Sequence, residues 1–268
     1  MTKVTLLCPV RSCHAPLARE ERRLVCANNH SFDVARSGYV NLLQPQDKKS
    51  KNPGDTNDAV QARRRFLDRG FVDPLTQQIV AQLPLDAGQT LLEVGCGEGH
   101  HLAAFRRAYD VDGYGTDLSV PAIELAAKRH PDCDWTVANA DRFLPYADAS
   151  FDAVVSITAR LNADEFRRVT RGSLLIVIPG ADDLIELREA VLGGRVERDR
   201  TERTIETFAP RFRLERHAHL RHEALLDRDA LLDVMTSTYR GQRDRAREQL
   251  ESLDAMSVTF SRDALLFR

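Results

Sequence analysis

A doubly wound α/β fold on a mostly parallel sheet, preceded by a small separate module, is what this sequence predicts. Three observations carry the prediction. From residue 90 onward, short apolar runs alternate with amphipathic stretches of helical period. The first run is followed at once by the turn Gly95-Cys96-Gly97-Glu98-Gly99. Ahead of all this, three of the five cysteines, Cys8, Cys13 and Cys26, crowd the N-terminus together with His30.

Size and composition fit one large α/β domain with an appendage: 268 residues, 43% hydrophobic and 29% charged. No apolar run approaches the roughly 20 residues that span a bilayer; the longest, Leu174 to Ile178, is strand-sized. The opening MTKVTLLCPVRSCH has no signal-like apolar region. A cytoplasmic protein with no membrane partner is therefore expected. The net charge of −2 argues against non-specific binding of nucleic acid, DNA included. Residues 1–75 nevertheless hold 13 Lys and Arg against 8 Asp and Glu, and the remainder 25 against 32. The N-terminal third is thus the part suited to a polyanion, unless the clustering is chance on a solvated surface.

In chain order, the first element is Cys8-x4-Cys13-x12-Cys26-x3-His30. Two close pairs of soft ligands around a loop of a dozen residues can wrap a tetrahedral Zn²⁺, whose binding energy folds a segment too short to own a core. Pro9, Ser12, Asn28 and Asn29 supply turn formers, and an odd cysteine count argues against a disulfide framework. His14 is an alternative ligand. Phe32 to Leu43, with Gly38, reads as a hairpin-like piece. Gln44 to Asp58, with Lys48, Lys49 and Lys51, reads as a loop, and Asp58 to Gly70 as a helix carrying Arg63-Arg64-Arg65. That run can grip phosphate or simply face water.

Strands are expected at Thr90 to Val94, Tyr114 to Asp117, Trp135 to Ala138, Ala153 to Ile157 and Leu174 to Ile178. Helices are expected at His100 to Tyr109, Val120 to Arg129, Ala163 to Arg171 and Ala181 to Leu192. Phe212 to Leu220 and Ser257 to Phe267 read as closing strands. Between them Arg195, Arg198, Arg200 and Arg203 alternate with acids, the mark of a solvated stretch.

The glycine turn reads Glu93-x-Gly95-x-Gly97-x-Gly99, neither the dinucleotide fingerprint nor a P-loop. An acid ahead of the turn suits a cationic ligand. Asp117 ends the second strand, where a carboxylate meets a ribose diol, with Leu118 beside it. Asn139, Ala140 and Asp141 follow the third strand, where an adenine edge would lie. Sulfonium, ribose and adenine together describe S-adenosylmethionine.

LLEVGCGEGHHL, GYGTDLS, VANADRFLP and SFDAVVSI, in this order, resemble the four motifs of class I S-adenosylmethionine-dependent methyltransferases. The N-terminal segments HSFD, GYVNLL, PGD and ARRRFL make the chain similar to the 23S rRNA (guanine-N1)-methyltransferases, most densely over residues 8–130. The resemblance implies a seven-stranded sheet with its last strand antiparallel, behind a zinc-knuckle RNA-recognition module at 1–43 and a linker with helix at 44–75. The methyltransferase domain would occupy 76–268. It further implies zinc on Cys8, Cys13, Cys26 and His30, a homodimer, and a guanine in a domain II hairpin of 23S rRNA as target, with macrolide resistance in some relatives.

Three departures fall on the substrate side. Ile157-Thr158-Ala159-Arg160 stands where the family has Tyr-Ala-Pro, and Thr170-Arg171-Gly172-Ser173 where most class I enzymes have Lys-Pro-Gly-Gly. Met235-Thr236-Ser237-Thr238 replaces the family's Met-Thr-Pro.

Methylation at guanine N1 requires loss of the N1 proton, for which Asp141, Arg160, His217 and His219 are candidates without an assignment. Amino-directed base methylation is disfavoured by the absence of an Asn/Asp-Pro-Pro-aromatic segment after the fourth strand. Carbon-5 methylation needs a cysteine nucleophile, and neither Cys96 nor Cys133 is placed for it. A small-molecule methyltransferase and a non-catalytic RNA-binding relative are the alternatives.

Overall fold

A computed structural model describes residues 4–47, 53–192, 199–238 and 253–268. Lys48, Lys49, Lys51, Arg195 and Arg198, singled out above, lie outside the described residues.

Four small strands open the chain: β1 (Leu17–Glu20), β2 (Arg23–Cys26), β3 (Ser31–Asp33) and β4 (Val40–Asn41). After them come α1 (Asn57–Asp68), α2 (Asp73–Ala81), β5 (Thr90–Val94), α3 (His100–Tyr109), β6 (Asp112–Asp117), α4 (Val120–Arg129), β7 (Asp134–Val137) and β8 (Phe151–Ile157). The remainder is α5 (Ala163–Val169), β9 (Thr170–Pro179), α6 (Ile185–Leu192), α7 (Thr201–Phe208), β10 (Leu214–Asp227), α8 (Arg228–Thr238) and β11 (Ala255–Phe267).

The main sheet runs β10-β11-β9-β8-β5-β6-β7-β4. Pairings from β4 to β9 are parallel, and β11 is antiparallel to both β9 and β10. The expected seven strands are thus present with the last one reversed, and an eighth, β4, is added at the far edge by the N-terminal module. Alternation puts successive side chains on opposite faces. Leu91, Val155, Leu175 and Val177 join one core with α2, α3, α4 and α8. Leu92, Val154, Leu174 and Ile176 join another with Phe166 of α5 and Phe208 of α7. Each such fully buried side chain stabilises the fold by about 1.5–3 kcal/mol, which is why these strands read as unbroken apolar runs.

Several boundaries differ from expectation for local reasons. The helix at 163 stops at Val169, because Thr170 and Arg171 already belong to β9, where Arg171 grips Asp152 through Nε and Nη2 at 2.8 Å each. The helix expected from Ala181 begins at Ile185, after a turn. The strand expected at 212–220 runs to Asp227, because β11 pairs with it along its whole length. The helices α2 and α8 were not anticipated; their short apolar stripes have meaning only against the sheet.

The helix expected at 58–70 is present as α1 and packs on the main sheet and α8. Phe66 of α1 is buried between Phe71 and Phe260, with ring centroids 5.6 and 5.8 Å away. Arg65 bonds Asp233 at 2.5 Å and Arg69 bonds Asp227 at 2.5 Å, tying α1 to α8 and the end of β10. The expected division after residue 75 falls within α2.

The N-terminal module is a three-stranded antiparallel sheet, β1-β2-β3, over a core of Leu24, Val34, Val40 and Leu42. The hairpin expected in 32–43 is present: Val34 bridges Val40 around a turn in which Gly38 has φ 97°. The module leans on the loop after β7, where Leu7 N–H donates to the Pro145 carbonyl at 2.9 Å and His14 stacks on Phe143 at 4.3 Å.

Candidate functional site

Two sites emerge, joined through the 139–147 loop. In the module, the ligand atoms of Cys8, Cys13, Cys26 and His30 all lie within 4.8 Å of one another. A tetrahedron with Zn–S of about 2.3 Å and Zn–N of about 2.0–2.1 Å has edges of about 3.8 Å between sulfurs and about 3.6 Å between sulfur and nitrogen. Cys13 and Cys26 sulfurs are 3.8 Å apart, and His30 Nδ1 is 3.4 Å from the sulfurs of both Cys8 and Cys26. The donor set therefore fits zinc.

The wider first gap is absorbed by left-handed backbone at Ser12 (φ 64°) and His14 (φ 46°), while Asn29 (φ 61°) turns the second pair. His14 is the ring stacked on Phe143, not a member of the cluster. Backbone N–H of Ala15 and the Asn28 amide, 3.2 Å from the sulfur, bring the Cys13 thiol down to about 6. Burial pushes the Cys8 thiol up to about 12. A cation stabilises the thiolate of both.

The second site lies at the carboxyl end of the parallel strands. Gly95, Gly97 and Gly99 all have positive φ, at 76°, 56° and 84°. A side chain at Gly95 would strike Ala159 and one at Gly99 would strike Trp135, at 2.2 and 2.5 Å. At Gly97 the nearest atom is Arg63 Nη1 at 3.6 Å, so this is the open side of the turn, where backbone can meet a ligand. Asp117 braces the turn: its Oδ2 accepts Gly97 N–H at 2.9 Å and its Oδ1 accepts Ser119 N–H at 2.8 Å. Leu118 is half-buried beside it.

Glu93 sits beneath the turn, 1% exposed, and accepts Leu102 N–H at 2.9 Å. Burial holds its carboxyl well above the usual range and holds half-buried His101, 3.7 Å away, well below its own. Glu93 thus fastens α3 to the turn from behind. Burial also raises Glu98, which is 5% exposed.

On the next loop Asn139 is spent on structure. Its amide donates to the Asp47 carbonyl at 2.9 Å, and its oxygen accepts Asp141 N–H at 3.1 Å. The Ala140 carbonyl accepts the Asn162 amide at 3.0 Å. Asp141 pairs with Arg160 at 3.3 Å on the rim of a surface cavity of about 410 Å³, also lined by Asn162, Asp164, Thr207 and Arg211.

His217 and His219 are elsewhere: both bond Asp263 Oδ1, at 2.8 and 3.1 Å, on the β10–β11 pair. Three strands separate β10 from β5, about 19 Å at normal strand spacing. Cys96 and Cys133 are buried, and burial raises both thiols.

The sequence offers Asp55 only as a helix-cap candidate and does not distinguish Arg63 within its run. On α1, Arg64 pairs with Asp68 and Arg65 with Asp233, whereas Arg63 turns to Asp55 at 2.7 Å and stands over Gly97. Spacing of about 100° per residue splays such a run three ways, a signal present but not decisive in sequence.

A glycine turn after the first sheet strand, a carboxylate ending the second, and one reversed strand among otherwise parallel neighbours define a class I methyltransferase, which takes S-adenosylmethionine as methyl donor. Residues 91–176 match the methyltransferase domain family, and residues 6–51 match the zinc-ribbon family described as RlmA, N-terminal. A 23S rRNA (guanine(748)-N(1))-methyltransferase of Streptomyces fradiae is 36% identical, over 96% of this chain and 95% of its own. A Bacillus subtilis relative named as a 23S rRNA (guanine-N(1)-)-methyltransferase is 32% identical, over 97% and 95%. The chain belongs to the 23S rRNA (guanine-N1)-methyltransferase family.

The 27-O-demethylrifamycin SV methyltransferase of Amycolatopsis mediterranei is 35% identical but spans only 40% of this chain and 41% of its own. Among solved structures, the [4+2]-cyclase SpnF shares the fold at TM-score 0.51 and 19% identity, covering 73% of this chain and 80% of its own. Among the described residues no helix is long and apolar enough to cross a membrane.

Proposed function

We propose that this chain methylates N1 of a guanine in a domain II hairpin of 23S rRNA, in the cytoplasm. The observation that carries the reading is the span of the Streptomyces fradiae relative: it aligns over 96% of the chain, module included, whereas the rifamycin methyltransferase spans 40%. In this reading residues 1–43 recognise RNA and the sheet holds the donor. Cys8, Cys13, Cys26 and His30 hold Zn²⁺.

Gly95, Gly97 and Gly99 shape the floor of the donor pocket, Glu93 supports it from beneath, Asp117 and Leu118 meet the ribose, and the 139–141 backbone flanks the adenine. When bound, S-adenosylmethionine supplies a methyl group on a sulfonium; transfer forms the N1–C bond, breaks the C–S bond toward sulfur and releases the N1 proton. Asp141, paired with Arg160, is the candidate carboxylate beside the donor loop for that proton. His217 and His219 are instead bonded to Asp263 on the β10–β11 pair.

The test is methyl transfer to protein-free 23S rRNA, followed by nucleoside mass spectrometry. It should yield 1-methylguanosine, with rRNA affinity that falls as salt rises. The small-molecule reading is favoured by net acidity and by the cavity at Arg160 and Arg211; salt-independent binding of a low-molecular-weight acceptor would support it. Tight rRNA binding without transfer would mark a non-catalytic relative. A homodimer is tested by sedimentation, and a link to macrolide resistance by inhibitory concentrations in a sensitive host with and without the gene.

A further inference from the structure

We propose that Arg63, held in place by Asp55, binds the α-carboxylate of S-adenosylmethionine above the glycine turn. The proposal rests on the methyl-donor reading and assigns a part of the ligand that the sequence left without a partner. The half-buried carboxylate at the turn, Asp117, suits the sulfonium and the α-ammonium group. It repels a carboxylate, so the amino-acid end of the donor needs a cation close to the turn.

Arg63 meets that need by position. Its Nη1 lies 3.6 Å from where a side chain on Gly97 would begin, on the open side of the turn. The guanidinium is fixed from two directions, by Asp55 Oδ2 at 2.7 Å and by the Ser237 carbonyl at 3.3 Å. Two contacts leave N–H donors over from the five that Arg carries, and 32% of the side chain remains exposed. Planar, permanently charged and pre-aligned, it is suited to a carboxylate.

The support beneath it is tight. Gly54, at φ 82°, has no room for a side chain: a Cβ would come within 2.6 Å of Ser119 N. The Asp55 carbonyl accepts the Ser119 hydroxyl at 2.8 Å, pinning this segment to the turn that follows Asp117. Asp55 is therefore held beside the turn after Asp117, and Arg63 beside Gly97. The carbonyl on Arg63 comes from the Met235-Thr236-Ser237-Thr238 segment, which sequence had assigned to the substrate side. Asp55 is a positioning residue here, and Arg63 the binding residue.

Calorimetry on the full chain with S-adenosylmethionine and with its decarboxylated analogue tests this. The wild-type chain should prefer S-adenosylmethionine by about 10- to 100-fold. R63Q should lose about that factor for S-adenosylmethionine while binding the decarboxylated compound as before, so that the preference disappears. R63K, which keeps the charge but not the fork, should retain part of the preference, and D55N should lower it without abolishing it.

Equal weakening of both ligands in folded R63Q would overturn the proposal, because a merely structural role moves both. So would a wild-type chain that does not discriminate, a result that needs no variant to fold. A wild-type chain that binds neither compound would overturn the methyl-donor reading and this assignment with it.

Discussion

Replacing Asp117 by Ala removes a carboxylate with two tasks. One is internal: each oxygen accepts a backbone N–H, from Gly97 at 2.9 Å and Ser119 at 2.8 Å. The other, in the function proposed above, is to meet the ribose with the lone pairs that remain. Hydrogen bonds to a charged group contribute about 1.5–3 kcal/mol each when dry. Asp117 is half-buried, so water recovers much of the internal loss, and about 1–2 kcal/mol of stability should go. For a chain of this size that is a fall of about 2–8 °C in Tm. The donor loses two charge-assisted bonds, about 2–3 kcal/mol, which raises its Kd by about 30- to 150-fold.

Calorimetry with S-adenosylhomocysteine, alongside thermal melts, separates the two effects. Asp117→Asn is not a silent control, because one of its two polar atoms is a donor and faces a backbone N–H; it should lose at least half of the affinity. A folded Asp117→Ala chain with a Kd within about twofold of wild type would refute the ribose assignment.

Other perturbations probe the scaffold. Cys26→Ser should reduce bound zinc well below one per chain and lower Tm; full zinc occupancy by atomic absorption would remove Cys26 from the ligand set. In the native, zinc-loaded protein, thiol titration should find Cys96 and Cys133 unreactive, with Cys8, Cys13 and Cys26 becoming reactive on chelation. Reaction of the buried pair before unfolding would contradict their placement. Gly115→Ala puts a methyl 2.2 Å from Trp135 and should destabilise by about 1–3 kcal/mol in denaturant melts; an unchanged midpoint would show that Trp135 can move.

Asp152 is held down to about 2, from 3.8, by the Arg171 guanidinium first and then by Thr90. Its lowered value means the unfolded chain takes up the proton first. The stabilisation, about 2 kcal/mol, is thus complete above about pH 4 and is lost as pH falls toward 2. The stability gap between wild type and Asp152→Asn should close over that window, and a gap that is flat with pH would contradict the pairing.

The parallel sheet was legible because strands covered on both faces are written as unbroken apolar runs such as Leu174 to Ile178, and a glycine turn marks the ligand end. The metal cluster was legible from ligand spacing alone, despite the wider Cys8–Cys13 gap, because Ser12 and His14 absorb the extra residues in left-handed backbone. Less visible was what only tertiary contact decides. Asn139 has the right chemistry for a base edge, but nothing local shows that its amide also ties the Asp47 carbonyl to the Asp141 N–H. Glu93 sits before the turn as expected, but its carboxyl is buried behind it. Within three consecutive arginines, helical geometry sends each to a different acid, Asp55, Asp68 and Asp233, and nothing local says which stands beside the glycine turn. That the Ser237 carbonyl at the end of α8 meets Arg63, 174 residues earlier, is likewise decided only by tertiary contact.

The central claim is position-specific methylation of rRNA, and primer extension on protein-free 23S rRNA tests it most directly. A methyl group on N1 blocks the Watson–Crick edge, so reverse transcriptase should halt one nucleotide before the target. The account predicts a halt within the domain II hairpin that depends on S-adenosylmethionine and, in Asp117→Ala, needs a correspondingly higher donor concentration. Read-through along the whole molecule, by a chain that binds the donor normally, would contradict it.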